Sequence, residues 1–399
     1  MKKSMFVLMI VLVSMSWVFA QSSNTIPALS SGDTNALIIA PALPPPAAAP
    51  PAAKKASSPS SVTIKGKVYF DFFYAAAVST NVSGGDLNAN KELKHPTTDG
   101  RYGFQIRRIY LTFNRSFNDD FSGRIRFEAG HSAFKDSAIS EPKIKDAYLK
   151  WKYKKNNETV IGISSPPTFS LLEKFWGYRS VEKSAPDLFG IRSSRDLGVS
   201  LKGTMLNKKL QYHIMFGNGD KGNVDEWSSD DKTVYSALTY IPVKNITIQG
   251  HVDGDIVAQR KDEKFTGQFF CGFGDTKLKS TAFRAGLSAT YQEKARHRFT
   301  YLFSLPVIVR MNDSMNIFFR SDYRMYYEEH GQIDAFTKNA KPVKDAAELY
   351  TVIGTDVKLE KNIHFQPNVK VGYYIVDADS VPKNGMTDAI PSLTVYVAF

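Results

Sequence analysis

The sequence is poor in cysteine and, beyond its first twenty residues, has no long apolar run. Cys271 is the single cysteine among 399 residues, so no intramolecular disulfide can form. After residue 20 no stretch of about 18 consecutive apolar residues occurs, which argues against membrane-spanning helices. If the chain enters a membrane, the remaining structure that satisfies every backbone polar group in lipid is a closed β-barrel.

Recognisable catalytic and metal-binding motifs are also lacking. The seven histidines include no HExxH pair, and neither a Cys-His cluster nor a GxSxG or GxxxxGK[ST] motif occurs. Asp253 and Asp255 flank a glycine, but the twelve-residue calcium loop with its closing glutamate is absent. We therefore predict no enzyme, no metal and no cofactor, although barrel enzymes assemble their sites from distant strands and spacing alone does not exclude one.

The N-terminus has the three parts of a secretory signal peptide. Lys2 and Lys3 precede an apolar stretch from Met5 to Val18, and Ala20 closes a small-residue cleavage site. We predict a signal peptide over residues 1–20, whose removal lowers the formal net charge from +12 to +10. An exported basic protein rarely meets nucleic acid, so the excess points to an anionic membrane surface or anionic solutes.

Residues 21–61 differ in composition from the rest of the chain. The stretch ALPPPAAAPPAAKKASSPSS over 42–61 has no aromatic residue and can bury little apolar surface. Such a composition predicts an extended, disordered periplasmic segment.

From Val62 onward the apolar residues recur with a period of two. Val62, Ile64, Val68 and Phe70 share one face, while Lys65 and Lys67 lie on the other. The pattern recurs over 121–129, 146–153, 209–216 and 246–253. Periodicity alone does not separate a soluble all-β protein from a barrel with a water-filled interior, and both alternatives stay open here.

The connections and the C-terminus favour the membrane alternative. Short links at 115–120 and 154–158 alternate with long polar loops at 75–102, 166–195, 217–231 and 328–346, which is typical of outer-membrane barrels. The chain ends on Phe399 after an alternating strand, like the signal that the barrel assembly machinery reads. We predict an antiparallel barrel over 62–399 with about sixteen strands, and fourteen to eighteen also fit the length. Residues 255–280, with Cys271, give no interpretable pattern.

Basic residues recur at the predicted inward positions. A pore lined with Arg and Lys favours anions, and the alternative is that nearby acids such as Glu128 and Asp146 pair with each of them. The predicted pore-lining and selectivity residues are Arg108, Arg124, Arg126, Lys150, Lys152, Lys202, Arg320 and Arg324, with Arg284 also inward.

The long loop after the strand at 159–163 is rich in aromatic and apolar residues, including Phe169, Phe175 and Trp176. A solvated loop has no need of them, so we predict that this third loop folds into the pore, the alternative being an ordinary packed surface loop. Its predicted constriction residues are Glu173, Lys174, Arg179, Lys183, Arg192 and Arg195.

Several segments resemble the phosphate-selective porin O and P family. They are the strand Arg107-Arg108-Ile109-Tyr110-Leu111, the segments FSGRIRF at 121–127, IKDAY at 144–148 and FGNGD at 216–220, the loop with PPTFSLLEKFWGYRS and SSRDLGVSL, and Phe399. The resemblance implies a sixteen-stranded barrel, usually a homotrimer, whose third loop enters the pore. It also implies anion conduction past an arginine ladder, which Arg124 and Arg126 could continue.

The first hypothesis is therefore an outer-membrane porin for small anionic or neutral hydrophilic solutes, with an anion preference that could include phosphate. Its expected partners are outer-membrane lipids, the barrel assembly machinery and two further copies of the chain, without nucleic acid. The alternatives are a barrel enzyme or adhesin and a soluble secreted all-β binding protein.

Overall fold

The computed structural model describes residues 61–77, 100–130, 142–219, 232–256, 263–294, 298–328, 345–376 and 386–399. The predicted signal peptide and nearly all of the Pro/Ala-rich segment lie outside the described residues. Most of the loops predicted at 75–102, 217–231 and 328–346 lie outside them as well.

The described residues form sixteen β-strands and two short helices. The helices are α1, Pro167–Trp176, and α2, Ala185–Leu188. The strands are β1 Val62–Tyr74, β2 Tyr102–Ser116, β3 Phe121–Gly130, β4 Lys143–Lys154, β5 Asn157–Ser164, β6 Asp196–Met205, β7 Leu210–Gly217, β8 Lys232–Tyr240, β9 Ile246–Ile256, β10 Lys264–Phe273, β11 Phe283–Lys294, β12 Arg298–Arg310, β13 Met315–Glu328, β14 Asp345–Glu360, β15 Ile363–Val376 and β16 Met386–Ala398.

The sixteen strands form one closed antiparallel barrel in which each strand pairs with its neighbours in the sequence. β1 closes the barrel against β16, with Phe70 opposite Val395. Closure removes the free edges that an open sheet would expose. The prediction of an antiparallel barrel of about sixteen strands is confirmed.

The two faces of the barrel wall differ sharply in chemistry. The outward face exposes apolar side chains on successive strands, among them Ile64, Ile125, Ile161, Phe269, Leu287 and Ile353. The inward face buries polar and charged groups, among them Asp71, Arg107, Asp253, Arg320 and Glu348. This is the reverse of a soluble protein and is the pattern of a barrel surrounded by lipid. Among the described residues no helix is long and apolar enough to cross a membrane.

Residues 255–280 contain a strand that the sequence pattern did not reveal. β10 alternates imperfectly because Phe270 and Gly272 occupy its inward face, where polar residues were expected. Cys271 is exposed on the outward face of this strand, opposite Ile248 and Leu287.

The connections that follow the even-numbered strands lie at one rim of the barrel, and they are turns. The turn at 117–120 is built by Asn118, whose side-chain oxygen accepts the backbone N–H groups of Asp120 and Phe121 at 3.0 and 2.7 Å. The turns at 155–156, 206–209, 311–314 and 361–362 are at the same rim, as is the longer turn at 274–282. Residues 165–195, between β5 and β6, leave the opposite rim.

The line along which β1 pairs with β16 is the seam of the barrel, and Phe399 lies at this seam. The backbone of Phe399 exchanges two hydrogen bonds with Gly66 of β1, at 2.6 and 3.1 Å. The Phe399 ring covers the space that a side chain at Gly66 would occupy, so a larger residue there would require the ring to move.

Candidate functional site

The segment 165–195 starts with a helix, α1, because its sequence contains residues that favour the beginning and the end of a helix. The Pro166-Pro167 pair begins α1, since a proline at the first helical position has no N–H to leave unpaired. Gly177 ends the helix in the left-handed conformation (φ 76°), and its N–H donates to the carbonyl oxygen of Glu173 at 2.8 Å.

One face of α1 is apolar and packs against the inward face of β10 and β11. Phe169, Leu172 and Phe175 are buried on this face, and the rings of Phe175 and Phe270 meet edge to face with centroids 4.7 Å apart. The wall has room for these rings because Gly272 and Gly286 lack side chains beneath them. The Nε atom of Arg284 donates to the carbonyl oxygen of Phe175 at 2.6 Å, which holds the end of the helix.

The middle of the segment packs against β13 and β14. Trp176 is buried, its ring lies edge-on to Phe318, and the guanidinium carbon of Arg320 is 4.7 Å from its ring centroid. The indole Nε1 donates to the carbonyl oxygen of Glu182 at 2.8 Å, so the segment folds back on itself at this point.

Glu182 is the main polar anchor of the segment. Its carboxylate accepts the Tyr350 hydroxyl at 2.9 Å and lies 3.3 Å from the Nζ atom of Lys370. Burial alone would raise the pKa of Glu182, but Lys370, Arg107 and Arg320 outweigh burial and hold this pKa at about 2. The carboxylate therefore stays ionised at neutral pH although it is buried.

Two arginines anchor the end of the segment. Arg192 is buried and pairs with Asp253 and Asp255 of β9 at 2.6 and 2.8 Å. Arg195 pairs with Asp146 of β4 at 2.5 Å. The segment 165–195 is therefore tied by ion pairs to strands from different parts of the wall.

The charges that the segment leaves partly exposed form a small cluster. Arg179 lies between Glu173 and Asp187, at 3.1 and 2.6 Å. Burial would raise the pKa of Asp187, but the positive charges of Arg179 and Lys183 lower it below its ordinary value. Burial lowers the pKa of Lys183. The exposed part of this cluster carries both signs of charge.

Three arginines converge on one carboxylate at the other side of the interior. Arg124 and Arg126 of β3 approach Asp146 at 3.8 and 3.3 Å, and Arg195 completes the group. The side chains of Arg124 and Arg126 are 34% and 25% exposed, so they face solvent. One carboxylate balances only one of the three charges, and the cluster keeps a surplus of positive charge.

This surplus extends over the inward face of β1 to β6. Arg108 pairs with Glu128 at 3.0 Å, and Lys150 with Glu158 at 3.0 Å. Lys65, Lys67 and Lys152 of the same face are exposed. Cationic side chains thus outnumber carboxylates on this wall, and such a wall raises the local concentration of anions.

The sequence of this chain matches the model of a known protein family. The family model described as phosphate-selective porin O and P matches residues 64–273, which is more than half of the chain. This chain belongs to the phosphate-selective porin O and P family. The expected resemblance is thereby confirmed, and family and fold together indicate an outer-membrane channel rather than an enzyme.

Solved structures share the barrel of this porin at low sequence identity. OmpT of Vibrio cholerae, in a variant lacking loop L8, has a TM-score of 0.57 at 9% identity, with 86% of this chain and 100% of that chain covered. The outer-membrane channel DcaP of Acinetobacter baumannii has a TM-score of 0.58 at 14% identity, with 85% and 97% covered. An anion-selective porin from Comamonas acidovorans has a TM-score of 0.54 at 13% identity, with 85% and 100% covered. No curated protein matches the sequence of this porin.

The residues predicted from the sequence fall into two groups in the porin. Arg108, Arg124, Arg126, Lys150, Lys152 and Lys202 lie on the inward face of β2 to β6. Arg320 and Arg324 also point inward, but they are buried in ion pairs with Asp322 and Glu348 at 2.9 and 2.7 Å.

The sequence pattern missed other charged residues of the interior. Asp146 was considered only as one pairing acid, whereas it is shared by three arginines. Arg107 points inward beside Arg108 because a register shift at Tyr69 interrupts the alternation of β2. Its Nε atom lies 2.7 Å from Asp71. A period of two cannot reveal such a shift.

Proposed function

We propose that this porin is a passive diffusion channel of the bacterial outer membrane that prefers anions. The observation that carries the proposal is the group of Arg124, Arg126 and Arg195 around the single carboxylate of Asp146, within a wall that is rich in further cations. Fixed positive charges that line a hydrated path attract anions and repel cations. The anion-selective porin from Comamonas acidovorans, which shares the fold, is consistent with this preference. Phosphate is one candidate anion, in keeping with the description of the family.

The proposal includes a role for the segment 165–195 as the constriction of the pore. Its support comes from contacts with the inward face of β9 to β15, and from the bond between Arg195 and β4. Solutes would then pass between the exposed charges of the segment (Glu173, Lys174, Arg179 and Lys183) and the cationic wall of β1 to β6. Arg192 is buried and would act as an anchor of the segment.

The proposed organisation of the whole chain follows the sequence. A signal peptide over residues 1–20 exports the chain, and residues 21–61 form a periplasmic segment ahead of the barrel at 62–399. The barrel assembly machinery inserts it by reading Phe399, and the chain works as a homotrimer among outer-membrane lipids. Crosslinking in native membranes that gave only monomers would contradict the trimer.

The test is the reversal potential of the purified porin in a planar bilayer under a KCl gradient. We expect stepwise channels with a potential that favours chloride, and a phosphate titration then tests block by that anion. Replacing both Arg124 and Arg126 with Ala should shift the reversal potential towards zero, because two exposed cations are lost. Replacing both Lys277 and Lys279 with Ala is a matched control, since it also removes two exposed positive charges, in this case from the turn at 274–282.

The outcomes separate the parts of the proposal. An unchanged reversal potential in the arginine variant would contradict the assignment of selectivity to this cluster. Channels without any ion preference would leave a general porin. Absence of conductance from folded, membrane-inserted protein would contradict the channel function itself and favour the enzyme or adhesin hypothesis.

A further inference from the structure

A cavity of about 580 Å³ lies between α1 and the inward face of β4 to β9. On the helix side it is lined by Pro167, Ser170, Leu171 and Lys174. The helix is anchored through Leu172 and Phe175 and presents Pro167, Ser170 and Lys174 to this cavity, while Leu171 lines the cavity and also packs against the anchoring cluster. A volume in the range of about 300–1,000 Å³ is usual for sites that bind small organic molecules.

The cavity is strongly cationic. Six lysines line it, and its single carboxylate is Glu158, which pairs at 3.0 Å with Lys150 outside the lining. Among the described residues no carboxylate lies within salt-bridge distance of any of the six. They are Lys152, Lys154, Lys155, Lys174, Lys202 and Lys208. An anion with more than one negative charge would complement this lining.

Two neutral polar side chains of the cavity each have an atom without a hydrogen-bond partner in the protein. The Nε2 atom of His213 and the Oε1 atom of Gln249 are buried and have no hydrogen-bond partner. The amide nitrogen of Gln249 is occupied, since it donates to the Thr239 hydroxyl at 2.7 Å. Buried polar atoms normally have partners, so both atoms point to a ligand or water that supplies hydroxyl groups.

We propose that this cavity is a binding site for a hydroxylated organic anion with two or more charges, the chemistry of a sugar phosphate. The phosphate group would bind among the lysines, while sugar hydroxyls would bond with Gln249 Oε1 and His213 Nε2. The cavity is much larger than inorganic phosphate. A phosphate ion bound among the lysines has no sugar hydroxyls that could bond with Gln249 Oε1 and His213 Nε2. The proposal rests on the channel function, because the solute reaches the cavity through the pore.

The test is isothermal titration of the folded porin in detergent with glucose 6-phosphate, inorganic phosphate and glucose. We expect glucose 6-phosphate to bind about tenfold more tightly than inorganic phosphate, as two additional hydrogen bonds would allow. Glucose, which has no charge, should show no binding. Gln249→Leu and His213→Leu should each weaken binding of glucose 6-phosphate and leave that of inorganic phosphate unchanged.

Variants that remove lysines test whether the positive charge of the cavity is needed for anion binding. Replacing Lys152 and Lys202 with Met should weaken the binding of both anions, whereas the control, with Met at both Lys277 and Lys279 outside the cavity, should weaken neither. Heat-modifiable migration on a gel confirms that each variant is folded. Equal affinity for the two anions, or no effect of either polar variant, would overturn the proposal. Conductance is measured on the same preparation, so tight binding without channels would contradict the channel function and not the binding site.

Discussion

Asp146 is a carboxylate of the cationic wall that three arginines share. It accepts arginines from β3 and from the end of the segment 165–195, so it joins the wall to the proposed constriction. Because it is the carboxylate shared by all three, its negative charge offsets part of theirs, and removing that charge should increase the positive surplus of the cluster.

Asp146→Asn tests this dependence. Asparagine keeps an oxygen that can accept from the arginines but removes the negative charge, so we expect a larger chloride-favouring reversal potential than in the wild type. Asp313→Asn, in the exposed turn at 311–314, removes the same charge away from the cluster and should leave the potential unchanged. A potential that did not change in Asp146→Asn would contradict the role of the cluster.

Glu182 gives the proposed constriction a dependence on acid. Its pKa in the folded protein, about 2, lies below the ordinary value of 4.5. A carboxyl with a lowered pKa contributes stability above its unfolded pKa and loses that contribution as the pH falls through the folded value. We expect the segment 165–195 to loosen between about pH 4.5 and 2.

Fluorescence of Trp176 measures this loosening, because its indole donates to the carbonyl of Glu182. Glu182→Gln should remove the part of the acid transition that titrates in this range, so the difference between the wild type and the variant isolates this group. The same acid transition in both proteins would show that Glu182 does not hold the segment.

At the scale of elements, the packing of Phe175 is a main contact that holds α1 against the barrel wall. Phe175 lies against Phe270, over the space left by Gly272 and Gly286. Truncation of a buried phenylalanine to alanine costs about 3–5 kcal/mol. Phe175→Ala should therefore release α1 from the wall, raise the single-channel conductance and make the segment 165–195 more susceptible to protease.

The matched control is Phe269→Ala, which removes a phenylalanine side chain from the outward face of β10, the strand that Phe175 contacts, where Phe269 is exposed. It should leave conductance and protease sensitivity near the wild-type values. If Phe175→Ala leaves the conductance unchanged, α1 does not limit the ion path.

The elements also show how far the sequence could predict the structure. Strands such as β3 and β9 were found from their period of two because one face meets lipid and the other the interior. β10 was missed because Phe270 serves as a contact for α1, and its inward face therefore looks apolar. The helix itself was interpreted as part of a loop, although Phe169, Leu172, Phe175 and Trp176 follow a helical spacing.

The site was only partly predictable for a related physical reason. Alternation placed Arg124 and Arg126 inward, but it carries no information on which cations are covered by another segment. Arg320 was placed inward by the same rule and is buried beside Trp176. The burial of a charge depends on contacts between residues far apart in the chain.

At the scale of the whole molecule, Phe399 makes a contact across the seam between the first and the last strand of the barrel. Phe399 bonds with Gly66 across the seam, and the ring fills the space over that glycine. Deleting Phe399 should lower the fraction of folded barrel, since two backbone hydrogen bonds and the ring contact are lost. The measurement is heat-modifiable migration after refolding in detergent and after expression in cells.

Refolding in detergent tests whether Phe399 is needed for the barrel to close, whereas expression in cells also tests whether the assembly machinery recognises it. Phe399→Tyr keeps an aromatic ring and the backbone contact, so it should fold in both conditions. A deletion that fails only in cells would assign Phe399 to recognition by the assembly machinery. A deletion that folds normally in both conditions would contradict both roles.

The seam between β1 and β16 also makes the order of the strands formally cyclic. Val62 begins β1 and Phe399 follows β16 at the rim that carries the short turns, so a short linker could join them. The chain could then be opened at another turn of that rim, such as 155–156. A circular permutant of this kind would keep every strand pair while moving the terminal residue to a different strand, so the identity of the last strand could be varied independently of the barrel it completes.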